Sequence, residues 1–123
     1  GPSGLAAATS LAKAGLGVTL IEKSLRDTFE MSRAYLYLVD SRGQHWTDAN
    51  GVTAEIRECG VSNDGYTITR ALPNHQGAVT TKPILAQKAT AKAVWIPRAA
   101  LLGVLARDAE RAGVELRYGC ALS

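Results

Sequence analysis

Cysteine is scarce: only Cys59 and Cys120 occur in 123 residues, far apart and with no CxxC or Cys/His spacing. That excludes a disulfide framework and a zinc site, points to a reducing compartment, and leaves both thiols as expected small core fillers beside apolar neighbours. Charge of one sign is lacking too. The 14 basic residues are spread among 11 acidic ones for a formal charge of +3, with no stripe or tail. Such a balance suits a phosphate-bearing ligand and argues against nucleic acid. No apolar run is long enough for a membrane span. The opening 21 residues come nearest, but Lys13 sits in their middle and the stretch is rich in Gly and Ala, not Leu. Neither a signal peptide nor a spanning helix is therefore predicted. Low-complexity segments and short repeats are missing as well. What remains, at 46% hydrophobic content, is one modest domain or part of one.

Two stretches carry a strong local pattern. From Leu5 to Ala14 the residues Leu5, Ala8, Leu11 and Ala12 fall at helical spacing and Gly15 supplies the stop; Val18 to Ile21 then reads as a short buried strand that ends at Glu22. Near the other end, Ala93 to Ile96 reads as a strand and Pro97 as a helix start. Leu101, Leu102, Leu105, Ala106 and Ala109 give that helix an apolar face, Gly113 ends it, and Val114 to Tyr118 reads as a strand. The second helix-Gly-strand unit echoes the first. Between them, Lys23 to Ser32 reads as loop and Tyr35 to Val39 as extended chain. One or two short helices are expected within Asp40 to Cys59, interrupted at Asn50-Gly51 and stopped by Gly60. Alternating Thr, Val, Ile and Tyr from Gly65 to Leu72 and from Ala78 to Ile84, separated by Pro73 to Gly77, predict an antiparallel β excursion in the middle third.

The chemistry sits at the start. Gly1-Pro2-Ser3-Gly4 matches the second half of GxGxxG, with the first glycine expected two positions upstream. In that motif Gly1 lets the backbone approach a pyrophosphate, Gly4 and Ala8 let the helix pack closely on the sheet, and the open helix end presents N–H groups and a positive dipole to a diphosphate. Glu22, 18 residues after Gly4 and at the end of the next strand, is placed to accept hydrogen bonds from a ribose diol. An acid there disfavours a 2′-phosphate, so NADP fits this site least well. Half a glycine motif alone would be read as a tightly packed Gly/Ala helix. Its agreement with Gly15, the β-branched strand and the terminal acid is what favours a dinucleotide.

The segment from Gly1 through Val18-Thr19-Leu20-Ile21-Glu22-Lys23 resembles the FAD fingerprint of the flavoprotein aromatic-ring monooxygenases. Ile96-Pro97-Arg98-Ala99-Ala100-Leu101-Leu102, followed by Ala112 to Leu116, is similar to that family's Arg-x-x-Leu helix and the strand after it. Ser32-Arg33 with Tyr35 to Leu38 resembles the FAD-lining segment of the kynurenine 3-monooxygenase branch. The resemblance implies an α/β, partial Rossmann-like FAD-binding domain, with a parallel sheet and flanking helices. Its cofactor is FAD, its reductant NAD(P)H, and its reaction the O2-dependent hydroxylation of a small aromatic or other ring. It implies cofactor-binding roles for Gly1, Pro2, Ser3, Gly4, Glu22, Lys23, Arg33 and Arg98, and it names no catalytic residue. Two alternatives stay open: another FAD- or NAD-linked oxidoreductase (reductase, oxidase or cyclase), and a truncated, non-catalytic product or interaction fragment.

The sequence opens at Gly1 inside the motif, without an initiator methionine. Residues 1–123 are accordingly expected to be an incomplete FAD/NAD(P)-binding domain, lacking its first strand and its carboxy-terminal part. The lost strand is expected at the sheet centre, between Val18–Ile21 and Val114–Tyr118, which would leave the chain by itself a poor binder of FAD. Other residues invite simpler readings. His45 and His75 have no partner at a telling spacing and receive no role. Trp46 and Trp95 read as packing residues, and Tyr35, Tyr37 and Tyr66 as half-buried strand positions ahead of any aromatic substrate pocket.

Overall fold

Leu5, Ala8 and Thr9 form the buried side of the first helix, α1 (Pro2–Lys13), in a computed structural model that describes residues 1–26, 35–63, 69–71, 78–80 and 92–121. Pro2 at the first helical position sacrifices no hydrogen bond, since the N–H it lacks would have had no partner there. At the other end Gly15 takes φ +89°, its N–H bonds to Ala12 O, and the Leu16 N–H reaches back to Leu11 O. That paired closure needs a left-handed residue and so a glycine. The chain then turns into β1 (Thr19–Glu22), whose Leu20 and Glu22 face inward while Thr19 and Ile21 face out.

The same device recurs at α4 (Arg98–Arg111) and β7 (Glu115–Tyr118). Gly113 sits at φ +87°, with its N–H on Glu110 O and the Val114 N–H on Ala109 O. β1 and β7 are hydrogen-bonded parallel neighbours, Thr19 opposite Glu115 and Glu22 opposite Tyr118. This corrects the expected strand between them. In a doubly wound sheet of order 3-2-1 the second and third strands are adjacent, and the direct pairing of β1 with β7 has that kind of adjacency.

Between these units, β2 (Leu36–Val39), β6 (Ala93–Pro97) and β3 (Val61–Asn63) form an antiparallel sheet with β6 at its centre. Two short helices, α2 (Ser41–Ala49) and α3 (Thr53–Cys59), lead from β2 to β3. Asp40 caps α2, its carboxylate accepting from the N–H groups of Arg42 and Gly43. The break between the helices falls at Asn50-Gly51, with Gly51 at φ +73°, as expected. The middle excursion is antiparallel too: β4 (Thr69–Ala71) pairs with β5 (Ala78–Thr80).

One core joins the two halves. Leu5 and Ala8 of α1, Val52 and Ile56 around α3, Val94 and Ile96 of β6, and Leu101, Val104, Leu105 and Ala109 of α4 are buried together. Leu20 and Leu116, opposite each other in the parallel pair, pack on it from the sheet side. Trp46 also packs against this core, and its indole N–H donates to Ser10 Oγ at 3.3 Å. Cys59 and Cys120 are exposed, contrary to the core-filler reading: Cys59 is the last residue of α3 and Cys120 lies two residues past β7, so apolar sequence neighbours do not carry the thiol inward. No helix among the described residues is long and apolar enough to cross a membrane.

Candidate functional site: the open end of the parallel layer

α1 and α4 pack against each other, and Lys13 Nζ near the end of α1 lies 3.5 Å from Asp108 Oδ1 near the end of α4. The two helices therefore run in the same direction. Because each doubles back into one of two parallel strands, both helices begin at the edge where β1 and β7 finish. Open α/β sheets bind their ligands at that edge.

At this edge α1 opens without a side-chain cap and without an acid in its first turn. Leu5 N–H makes the first helical bond, to Gly1 O at 3.2 Å, so the Ser3 and Gly4 amides have no helical acceptor. Gly1, Ser3 and Gly4 are exposed and Pro2 is half-buried. A Cβ on Gly1 would meet nothing within 4 Å. Gly4 differs from expectation. A Cβ there would touch Leu20 Cδ1 at 3.8 Å, an ordinary contact, so close helix–sheet packing does not require this glycine. Ala8, by contrast, is buried as expected.

Glu22 closes β1 beside that helix start. One carboxylate oxygen, Oε1, accepts the Ser24 N–H at 3.0 Å, and Oε2 lies 3.6 Å from the Gly1 nitrogen. The Ser24 amide is the main reason its pKa falls below the ordinary 4.5, with partial burial opposing. The carboxylate is thus ionised at neutral pH and acts as a hydrogen-bond acceptor. Beyond the strands the floor continues: Gly119 N–H bonds to Ser24 O at 3.0 Å and Cys120 N–H to Glu22 O at 3.1 Å. Lys23 is exposed at the bend after β1.

Arg98 begins α4 and is half-buried. Its N–H donates to Tyr35 O at 3.0 Å, tying the helix start to the entry of β2. Gly1, Pro2, Ser3, Gly4, Glu22 and Lys23 therefore gather at one place on the open edge, and Arg98 heads the second helix on the same edge. Arg33, Tyr66 and His75 lie outside the described residues. His45 is exposed on α2, and no cluster of metal-ligating side chains occurs among the described residues. Two features escaped the sequence reading. The Tyr-x-Tyr spacing of Tyr35 and Tyr37 was the available sign that both hydroxyls share one strand face. Gly60, expected only as a helix stop, is also pressed against β6.

The comparisons agree with this geometry. A family model described as an FAD binding domain matches residues 1–122. Among solved structures, that of the Diels-Alderase PyrE3 from the biosynthetic pathway of pyrroindomycins superposes with a TM-score of 0.71 at 19% identity. All of this chain is covered and 24% of that one, so the chain spans about a quarter of its length. At that identity the likeness is one of fold. No curated protein matches the chain.

Proposed function

Because the chain belongs to the FAD binding domain family, we propose that it is the part of a flavin-dependent monooxygenase that grips the adenosine diphosphate half of FAD. The observation that carries this reading is the uncapped, exposed start of α1, where a Cβ on Gly1 would meet nothing, with the ionised Glu22 beside it. The residues fit the group. Ser3 and Gly4 amides and the helix dipole would hold the diphosphate, and Glu22 Oε2 would accept from the ribose hydroxyls. Lys23 and Arg98 would add positive charge along the cofactor, as would Arg33 on the resemblance alone. Bound FAD, reduced by NAD(P)H, would supply the oxygen chemistry that hydroxylates a small aromatic or other ring. The kynurenine 3-monooxygenase-like branch is proposed from the Ser32-Arg33 segment.

A second reading, another FAD-linked enzyme such as a cyclase, is favoured by the fold shared with a Diels-Alderase. Glu22→Ala in the full protein, titrated with FAD, tests the common ground. Loss of a hydrogen bond to a charged acceptor should cost about 1.5–3 kcal/mol, or roughly ten- to a hundredfold in affinity, with Glu22→Gln losing less. Unchanged affinity in Glu22→Ala removes the ribose role. Oxygen consumption coupled to NAD(P)H oxidation in the presence of ring substrates separates the two readings, since a cyclase leaves both untouched.

A further inference from the structure

The turn that follows β1 is tied down by an arginine that no step above uses. After Glu22 the chain crosses the end of β7. The Ser24 carbonyl accepts the Gly119 N–H at 3.0 Å, and Leu25 lies so close that a Cβ on Gly119 would stand 3.2 Å from Leu25 Cδ2. Arg26 then reaches α4. Its Nη1 donates to Glu110 Oε1 at 2.7 Å and its Nη2 to Glu110 Oε2 at 3.2 Å, while the same guanidinium lies 5.6 Å from the centre of the Tyr118 ring.

A guanidinium that meets both oxygens of one carboxylate is fixed in direction as well as in contact, and the face of Tyr118 gives it a second seat. The two side chains are partly in solvent, 50% and 39% exposed, and an exposed ion pair adds little to the stability of a whole fold. Its effect is local. Arg26 and Glu22 are the two ends of one short stretch, and inside that stretch the Ser24 N–H donates to Glu22 Oε1 at 3.0 Å. Where the turn sets Ser24 therefore decides how the carboxylate is held. Glu110 belongs to the last turn of α4, the end remote from the edge where that helix begins, so the Arg26 guanidinium is drawn away from the ligand edge and serves as an anchor.

We propose that Arg26 is a positioning residue: clamped on Glu110 and Tyr118, it holds the turn across the end of β7, so that the Ser24 amide keeps the Glu22 carboxylate aimed at the adenosine ribose. The inference rests on the preceding reading that FAD occupies this edge. Arg26 touches no part of the cofactor and acts through Ser24 and Glu22.

The test reads two quantities in the full protein: hydrogen exchange of the amides from Lys23 to Arg26 without cofactor, and the FAD dissociation constant by flavin fluorescence. Arg26→Ala and Glu110→Ala should each speed exchange at Ser24 about two- to fivefold and weaken FAD by a similar factor, with exchange in the middle of α4 unchanged. Arg26→Lys, which keeps the charge without the fork, should lose less. Added to Glu22→Ala, Arg26→Ala should cost no further affinity, because Arg26 acts only through Glu22. Wild-type exchange at Ser24 in Arg26→Ala overturns the proposal, as does an equal loss of affinity with and without Glu22. If Arg26→Ala binds FAD as the wild type does while Glu22→Ala does not, the positioning role fails and the cofactor reading survives. A wild-type protein that binds no FAD overturns both.

Discussion

A methyl group added at Gly60 has nowhere to go. Its Cβ would lie 2.6 Å from Val94 Cγ1, 2.7 Å from Trp95 O and 3.0 Å from Ile56 O, and two of those three atoms are backbone. At Gly1 the same methyl group meets nothing. The two glycines therefore separate folding from binding. Gly60→Ala should destabilise the protein by about 1–3 kcal/mol, as overpacking does. Gly1→Ala should leave stability as it is and lower FAD affinity, because the start of α1 is where the diphosphate is proposed to lie. Urea unfolding and an FAD titration of both variants check this; equal stability losses would contradict it. At this scale the sequence was legible where a residue's role is local. Glu22 ends its strand as its position foretold, and Gly15 and Gly113 take left-handed conformations as their places after a periodic run require. It was silent where the role depends on a distant neighbour: nothing near Gly60 in the chain announces Val94.

The two helix-Gly-strand units show the same logic one level up. α1 and α4 were readable from apolar spacing and their glycine stops, and β1 and β7 from the short apolar-rich runs that follow. Both helices close on the same pair of hydrogen bonds, to the third and second carbonyls from the helix end. Forcing an L side chain into that left-handed position costs about 1–2 kcal/mol. Gly15→Ala and Gly113→Ala should each lose that much in chemical denaturation, with nothing lost to steric contact since neither Cβ would meet an atom within 4 Å. A neutral result at either site would mean that the turn relaxes to another conformation. What periodicity could not supply is which strands pair. The Ala93–Ile96 run was recognisable as a strand, yet its place at the centre of an antiparallel sheet depends on Leu36–Val39 and Val61–Asn63, far from it in the chain.

Across the whole molecule, α4 is shared property. It packs on α1, on α3 and on β6, so the parallel and antiparallel layers draw on one core. Leu105, 5% exposed, sits within it, and Leu105→Ala should cost about 2–5 kcal/mol, a large part of the 5–15 kcal/mol typical of a domain. Unfolding should register as one transition, with tryptophan fluorescence and far-ultraviolet dichroism coincident before and after the substitution. Two separate midpoints would show that the layers fold independently. The strand order belongs to this scale as well. β1 lies directly beside β7, an adjacency set by long-range pairing that no window of the sequence encodes, whereas the shared helix direction puts the glycine turn, Glu22 and Arg98 on one edge. The central claim is that this edge grips the adenosine diphosphate half of FAD. A structure of the full protein with FAD bound tests it most directly. Diphosphate oxygens should lie about 2.7–3.2 Å from the Ser3 and Gly4 amide nitrogens, with an adenosine ribose hydroxyl equally close to Glu22. A diphosphate seated away from the first turn of α1, with the ribose turned from Glu22, would contradict it.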